Sequence, residues 1–198
     1  KFLIWTTTPW CIPGNLAIAI GKNINYSRIK IENNIYWIAT ERMDELNNYA
    51  VEVIENCSGS ELIGATYVPA YSEYEYLFND GAFKLIHSDD TNTESGSGLV
   101  SQAPAYGESD FYALKNSGIE VIADPVTLSG KFDLSVKGLE NTYVKEADKI
   151  IIEQLDKKKL LFSQTTETHS YPFCWRTGEP LIYKAIPTWF VSVEKIRE

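Results

Sequence analysis

The sequence predicts a mainly β chain with inserted helices, an α+β fold arranged as a distorted β-barrel with helices around it. Three observations lead there. Short apolar or alternating runs recur along the chain, separated by Gly, Asn, Ser and Asp. Only two or three stretches show helical periodicity. The strands do not alternate regularly with helices, as a βαβ sheet would require.

Residues 2–6, 16–20 and 26–32 read as strands, and YSRIKIE alternates polar and apolar side chains as a half-buried strand should. Asn33-Asn34 suits a hairpin turn into IYWIA, because Asn tolerates left-handed backbone. Residues 41–55 predict a helix: Met43, Leu46 and Tyr49–Ala50 recur at helical spacing, with Thr40 placed to cap it. Residues 61–71 read as a strand with a bulge at Gly64. An acidic and Ser/Thr-rich loop then surrounds one short strand, AFKLIH, and leads to a glycine-rich turn. LVSQA follows as a strand. SDFYALKNSG is a short helix with Ser109 as candidate cap and Gly118 as candidate stop. EVIA, residues 120–123, reads as another strand. Residues 141–159 form the best helix, with an apolar stripe of Val144, Ala147, Ile151 and Leu155 and a basic end at Lys157, Lys158 and Lys159. The last forty residues read as short strands and extended connections. One domain is expected over residues 1–198, with stalk-like ends at about 1–5 and 185–198.

The 198 residues are 44% apolar, enough for a sizeable core. With 18 basic and 27 acidic side chains the net charge is −9, which argues against strong autonomous binding to nucleic acid. The three cysteines, Cys11, Cys57 and Cys174, are far apart and form no CxxC pair. A zinc site and a disulfide framework are therefore not expected, and a reducing, cytoplasmic setting is. No apolar run is long enough for a membrane span. Nothing in the sequence points to an oligomer, so a monomer is the default.

Two stretches invite chemistry. WTTTPW, residues 5–10, sets Thr6, Thr7 and Thr8 before Pro9. If the proline turns the chain, their hydroxyls converge on a ligand; otherwise this is a threonine-rich strand end. GSGLVSQAPAYGESDF, residues 96–111, sets Gly96 and Gly98 before Ser101, Ala103 and Tyr106, and ends near one acid, Asp110. Asp110 reads either as an acid at a helix N-terminus or as a carboxylate holding a cation at the mouth of a pocket. Asn15 is a turn residue or a pocket amide. GSGLVS lacks the Lys-Ser/Thr ending of a phosphate loop. Cys174, five residues after His169, mimics a catalytic pair, but between Phe173 and Trp175 it is expected to pack in a core.

Taken together, WTTTPWCIPGN, GSGLVSQAPAYGESDF and HSYPFCWRTGEPLIYKAIPTWF resemble the inserted editing domain of isoleucyl-tRNA synthetases, in the same order and at domain-scale spacing. The resemblance runs from Lys1 to Glu198 and is loosest over about residues 22–95. It implies the distorted β-barrel, and hydrolysis of valine misattached to the CCA end of tRNA(Ile). It implies the rest of a synthetase as partner, and no cofactor, ATP and magnesium serving only the parent's activating site. On the family's motifs Asp110 binds the substrate α-ammonium. Thr6, Thr7 and Thr8 floor the pocket and orient ester or water. Gly96 and Gly98 allow close approach to the ligand, and Trp10, Asn15, Ala103 and Tyr106 fall near it. Lys157–Lys159, Lys184 and Arg197 are candidate phosphate contacts. Ser101 departs from the family's usual His, and Cys11 from a common Thr. Ser101 leaves a pocket looser toward isoleucine, or one narrowed by another residue such as Tyr106. The alternatives are a valyl-type domain that removes threonine and an inactive barrel that docks tRNA or a partner.

Overall fold

The computed structural model describes residues 1–166 and 170–197. Its strands form two three-stranded sheets. In the first, β1 (Ala17–Ile20) lies between β5 (Lys84–His87), to which it is parallel, and β6 (Val100–Gln102), to which it is antiparallel. All four β1 residues are buried, which suits an unbroken apolar run covered on both faces. In the second, β2 (Asn25–Ile31) is antiparallel to both β3 (Asn34–Ala39) and β4 (Val51–Ser58). The fold is α+β as expected. The barrel is open: among the described residues the two sheets are linked by side chains and single bridges rather than by a closed ladder.

Tyr26 is the main link. Its ring is fully buried, and its hydroxyl donates to the Gly98 carbonyl at 2.8 Å and accepts from the Gly21 N–H at 3.0 Å. Burial pushes its phenol up to about 12. The N-terminal residues clasp both sheets through bridges from Phe2 to Trp37 and from Trp5 to Val100.

Four helices complete the described fold: α1 (Gly59–Leu62), α2 (Glu108–Asn116), α3 (Val144–Lys157) and α4 (Val193–Ile196). The α3 stripe is as predicted. Val144, Ala147, Ile151 and Leu155 bury against Trp10, Tyr106 and Phe132.

The structure corrects several elements. The helix expected at 41–55 splits into a 3-10 turn, Thr40–Leu46, and strand β4. Val51, Val53 and Ile54 are β-branched, and the edge of β2 is free to pair with them. Thr40 does not cap that turn; its hydroxyl meets Ser27 at 2.9 Å. The strand expected at 61–71 is pre-empted by α1, which Ser58 and Glu61 cap reciprocally, leaving a single bridge from Thr66 to Lys84. EVIA runs outside any ladder, although Ala123 is fully buried. The cap of α2 is Gly107 rather than Ser109. Pro172, Pro180 and Pro187 cannot donate to a ladder, and among the described residues the tail makes one bridge, Phe173 to Pro180. Cys174 is only half-buried and its neighbours Phe173 and Trp175 are exposed, so it packs in no core. His169 lies outside the described residues.

Candidate functional site

The two motifs meet where β6 runs beside the N-terminal segment. Trp5 donates its N–H to Leu99 and its carbonyl accepts from Ser101, so Thr6 lies next to Ser101. The Thr8 N–H donates to Thr6 Oγ1 at 3.1 Å, and the two hydroxyls are 3.4 Å apart. Thr6 and Thr8 are half-buried while Thr7 is exposed. A 3-10 turn, Pro9–Gly14, then carries Trp10 into the core, where its ring meets Tyr106 with centroids 4.8 Å apart. This turn is the proline-driven bend that the sequence left open.

Asp110 sits in the first turn of α2, and its Oδ2 accepts from the Ala103 N–H at 2.8 Å. Burial raises its carboxyl above the ordinary 3.8, against hydrogen bonds from Ala103 and Ser109. Among the described residues no cationic side chain pairs with it. Cys11 feels the charges of two acids. Burial pushes its thiol up to about 12; a hydrogen bond with Thr8 opposes this, and the charges of Asp110 and Asp148 add to it. Such a thiol is fully protonated near neutrality and is no nucleophile.

Asn15 is a buried amide with four partners. Its Nδ2 donates to the Ala17 carbonyl at 2.8 Å, to Ser101 Oγ at 2.9 Å and to the Gln102 carbonyl at 3.4 Å, and its Oδ1 accepts from Tyr67 at 2.5 Å. It therefore fixes Ser101 from behind. Tyr106 does not face Ser101. Its hydroxyl bonds to Asp124 at 3.1 Å and accepts from the Val126 N–H at 3.2 Å.

The close approach that Gly96 and Gly98 allow is to protein. A Cβ on Gly96 would fall 2.6 Å from the Trp5 ring, and one on Gly98 would fall 2.4 Å from the Ala39 Cβ. The three carbonyls of this turn are also taken: Arg42 donates to Gly96, Ala39 to Ser97 and Tyr26 to Gly98. Of the candidate phosphate contacts, Lys184 is paired with Asp124, and Lys158 donates to the Ala70 carbonyl at 2.8 Å over the Tyr71 ring. A cleft of about 940 Å³ adjoins the Asp110 turn through Gly107 and Ser109 and extends to His87, Tyr112 and Tyr183.

Sequence reasoning missed Asp148 and Tyr67. Asp148 follows a stripe residue of α3, Ala147, and lies off the apolar stripe. Tyr67 lies in the segment read as a strand with a bulge at Gly64. No spacing rule connects either to the motifs.

Burial raises both Asp110 and Asp148. An acid whose folded value is raised binds its proton more readily in the fold, so the fold loses stability as pH climbs from the ordinary value through the raised one. Urea unfolding of Asp110→Asn between pH 4 and 7 is expected to show a flatter pH dependence than the unaltered chain. An unchanged slope would contradict the burial of Asp110.

No family model matches the chain. It is 44% identical over 201 residues to an isoleucine–tRNA ligase of Bdellovibrio bacteriovorus, covering 99% of this chain and 19% of that protein. It is 38% identical to the cytoplasmic isoleucine–tRNA ligase of Caenorhabditis elegans, covering 99% and 18%. The chain thus spans under a fifth of the length of the curated relatives it matches. Two solved structures share its fold. GlLeuRS-CP1 has a TM-score of 0.65 at 12% identity, over 85% of this chain and 84% of that one. The cytosolic leucyl-tRNA synthetase editing domain of P. knowlesi has a TM-score of 0.61 at 8% identity, over 93% and 83%.

Proposed function

The chain belongs, over its whole length, to the isoleucine–tRNA ligase family as one segment of it, and from that premise we propose that it is the editing hydrolase, cleaving valine from mischarged tRNA(Ile). The need for such a site is energetic. One methylene distinguishes valine from isoleucine by about 1–3 kcal/mol, a figure for which isoleucine-activating enzymes are themselves the standard example and which owes nothing to this chain. A second pocket that admits the smaller side chain supplies the remaining discrimination.

One observation carries the proposal: Asp110, a half-buried carboxylate whose charge acts on Cys11, the hydrogen-bond partner of Thr8, has no cationic partner among the described residues. An aminoacyl ester brings a cation of its own, its α-ammonium. Pairing it with Asp110 fixes the ester beside the threonine hydroxyls. The ester is already reactive, so the chain need only orient water and offer donors to the developing oxyanion. Thr6 and Thr8 are assigned that task. The protonated Cys11 contributes shape, not a nucleophile. We assign no cofactor to this step. The tRNA body and the rest of a synthetase are the proposed partners, in the cytoplasm, and deliver the CCA end to a domain too acidic to hold tRNA tightly by itself.

A non-hydrolysable valyl-adenosine analogue, followed by NMR on the labelled chain, tests the assignment. Shifts centred on the amides of Thr8, Ala103 and Asp110 are expected, and binding should vanish in Asp110→Asn. Shifts confined to the cleft of His87 and Tyr183 would contradict it.

Ser101 carries the specificity prediction. Its small side chain, tied to Asn15, leaves room that a larger residue would occupy. Ser101→His is expected to slow hydrolysis of isoleucyl-tRNA(Ile) relative to valyl-tRNA(Ile) by about tenfold or more, as a change of roughly one methylene or greater should. An unaltered chain that already rejects isoleucine strongly would show that another residue closes the pocket.

A further inference from the structure

The threonine segment has a structural problem that its own residues do not solve. A helical turn leaves its first N–H groups without partners, and a Thr at the cap position ordinarily supplies one with its side chain. Thr8 is the cap of the Pro9–Gly14 turn, yet its hydroxyl makes no capping bond. Pro9 has no N–H to satisfy. The next donor, the Trp10 N–H, is instead taken by Asp148 Oδ1 at 2.8 Å, from 138 positions away on α3. No hydrogen bond holds the Trp10 side chain, because the indole N–H is buried with no partner among the described residues. The carboxylate of Asp148 is thus the polar fixing point of Trp10.

We propose that Asp148 is a positioning residue for hydrolysis: it caps the Trp10 turn in place of Thr8 and so leaves the Thr8 hydroxyl to the site. Three observations fit together here. The Thr8 hydroxyl is turned to Thr6 Oγ1 and to the Cys11 thiol, and caps no backbone N–H of its turn. Asp148 is placed by the α3 stripe, since Ala147 beside it is fully buried against the Trp10 cluster. The bond is charge-assisted and half-buried, which makes it stronger than a surface contact. Were Asp148 removed, Thr8 would be free to swing back and cap its own turn, as threonines at such positions do.

The role rests on the editing proposal, but its structural half does not, so the test reads both. Amide hydrogen exchange of the full 198-residue chain comes first. In Asp148→Ala, protection at Trp10 and Cys11 is expected to fall by about fivefold or more, the size of a lost cap. Asp148→Asn keeps an acceptor oxygen and should preserve most of that protection. Valyl-tRNA(Ile) hydrolysis by the same variants comes second. Asp148→Ala should lower kcat with KM little changed, and Asp148→Asn should restore it. Thr8→Val should cost far less in the Asp148→Ala background than in the unaltered chain, because both act through one hydroxyl. Unchanged protection in Asp148→Ala would overturn the capping role. Equal damage from Asn and Ala, seen as a raised KM, would also overturn the proposal, since charge rather than placement would then be at work. Should the unaltered chain hydrolyse nothing, the exchange experiment still decides the cap, and it is the editing proposal that fails. If Asp148→Ala does not fold, the comparison of Asp148→Asn with the unaltered chain decides: lost protection at Trp10 with the fold intact contradicts a cap that needs only an acceptor.

Discussion

Asp110→Ala is expected to lower kcat/KM for hydrolysis of valyl-tRNA(Ile) by about a hundredfold, the range expected when one partner of a buried, hydrogen-bonded charge pair is removed. The loss has two sources. The substrate ammonium would lose the counter-charge proposed for it, and the Ala103 N–H loses its acceptor. Asp110→Asn separates them, because the amide oxygen can still receive the Ala103 N–H but carries no charge. Most of the loss should therefore persist in Asp110→Asn. The pH profile gives a second readout. Because burial raises the Asp110 carboxyl, substrate anchoring is lost as pH falls through that raised value, earlier than for a surface acid. The acid limb of kcat/KM should vanish in both variants. Single-turnover hydrolysis across pH 4.5–8 is the measurement, and an Asp110→Asn variant as active as the unaltered chain would sink the anchoring role.

Gly98→Ala is expected to be among the most destabilising single substitutions in the chain, costing about 2–4 kcal/mol. Gly98 has φ +75°, a backbone conformation that side chains disfavour, and its Cβ would stand 2.4 Å from that of Ala39. Neither can yield cheaply. Ala39 is fully buried at the end of β3, and the Gly98 carbonyl is held by Tyr26 across the two sheets. Thermal unfolding should shift down by roughly 5–15 °C for a domain of this size. The effect on hydrolysis should be as marked, since the turn leads straight into β6 and Ser101. A variant with unchanged melting would show that the turn can relax away from β3.

How much of this could be read from the sequence depends on whether the signal is local. The α3 stripe was legible because Val144, Ala147, Ile151 and Leu155 repeat at helical spacing, and the hairpin of β2 and β3 because of its alternation, although its turn is Glu32-Asn33, with Glu32 left-handed, and Asn34 already pairs in β3. The candidate site was legible as two motifs, but not as a shape. Nothing near Asn15 announces that its partners are Tyr67 and Ser101, and nothing near Trp10 points to Asp148. Residues 41–55 failed for a related reason. Their local pattern is compatible with a helix, and the free edge of β2, which no local window contains, decides for strand. The glycines were read as making room for a ligand, whereas the atoms beside them are Trp5 and Ala39.

The central claim is tested most directly by incubating the purified chain with valyl-tRNA(Ile) and following release of valine against buffer alone. The account predicts release well above the spontaneous rate, lost on Asp110→Ala and slower for threonyl-tRNA(Val). Release no faster than in buffer, at chain concentrations high enough to saturate the tRNA, would contradict it.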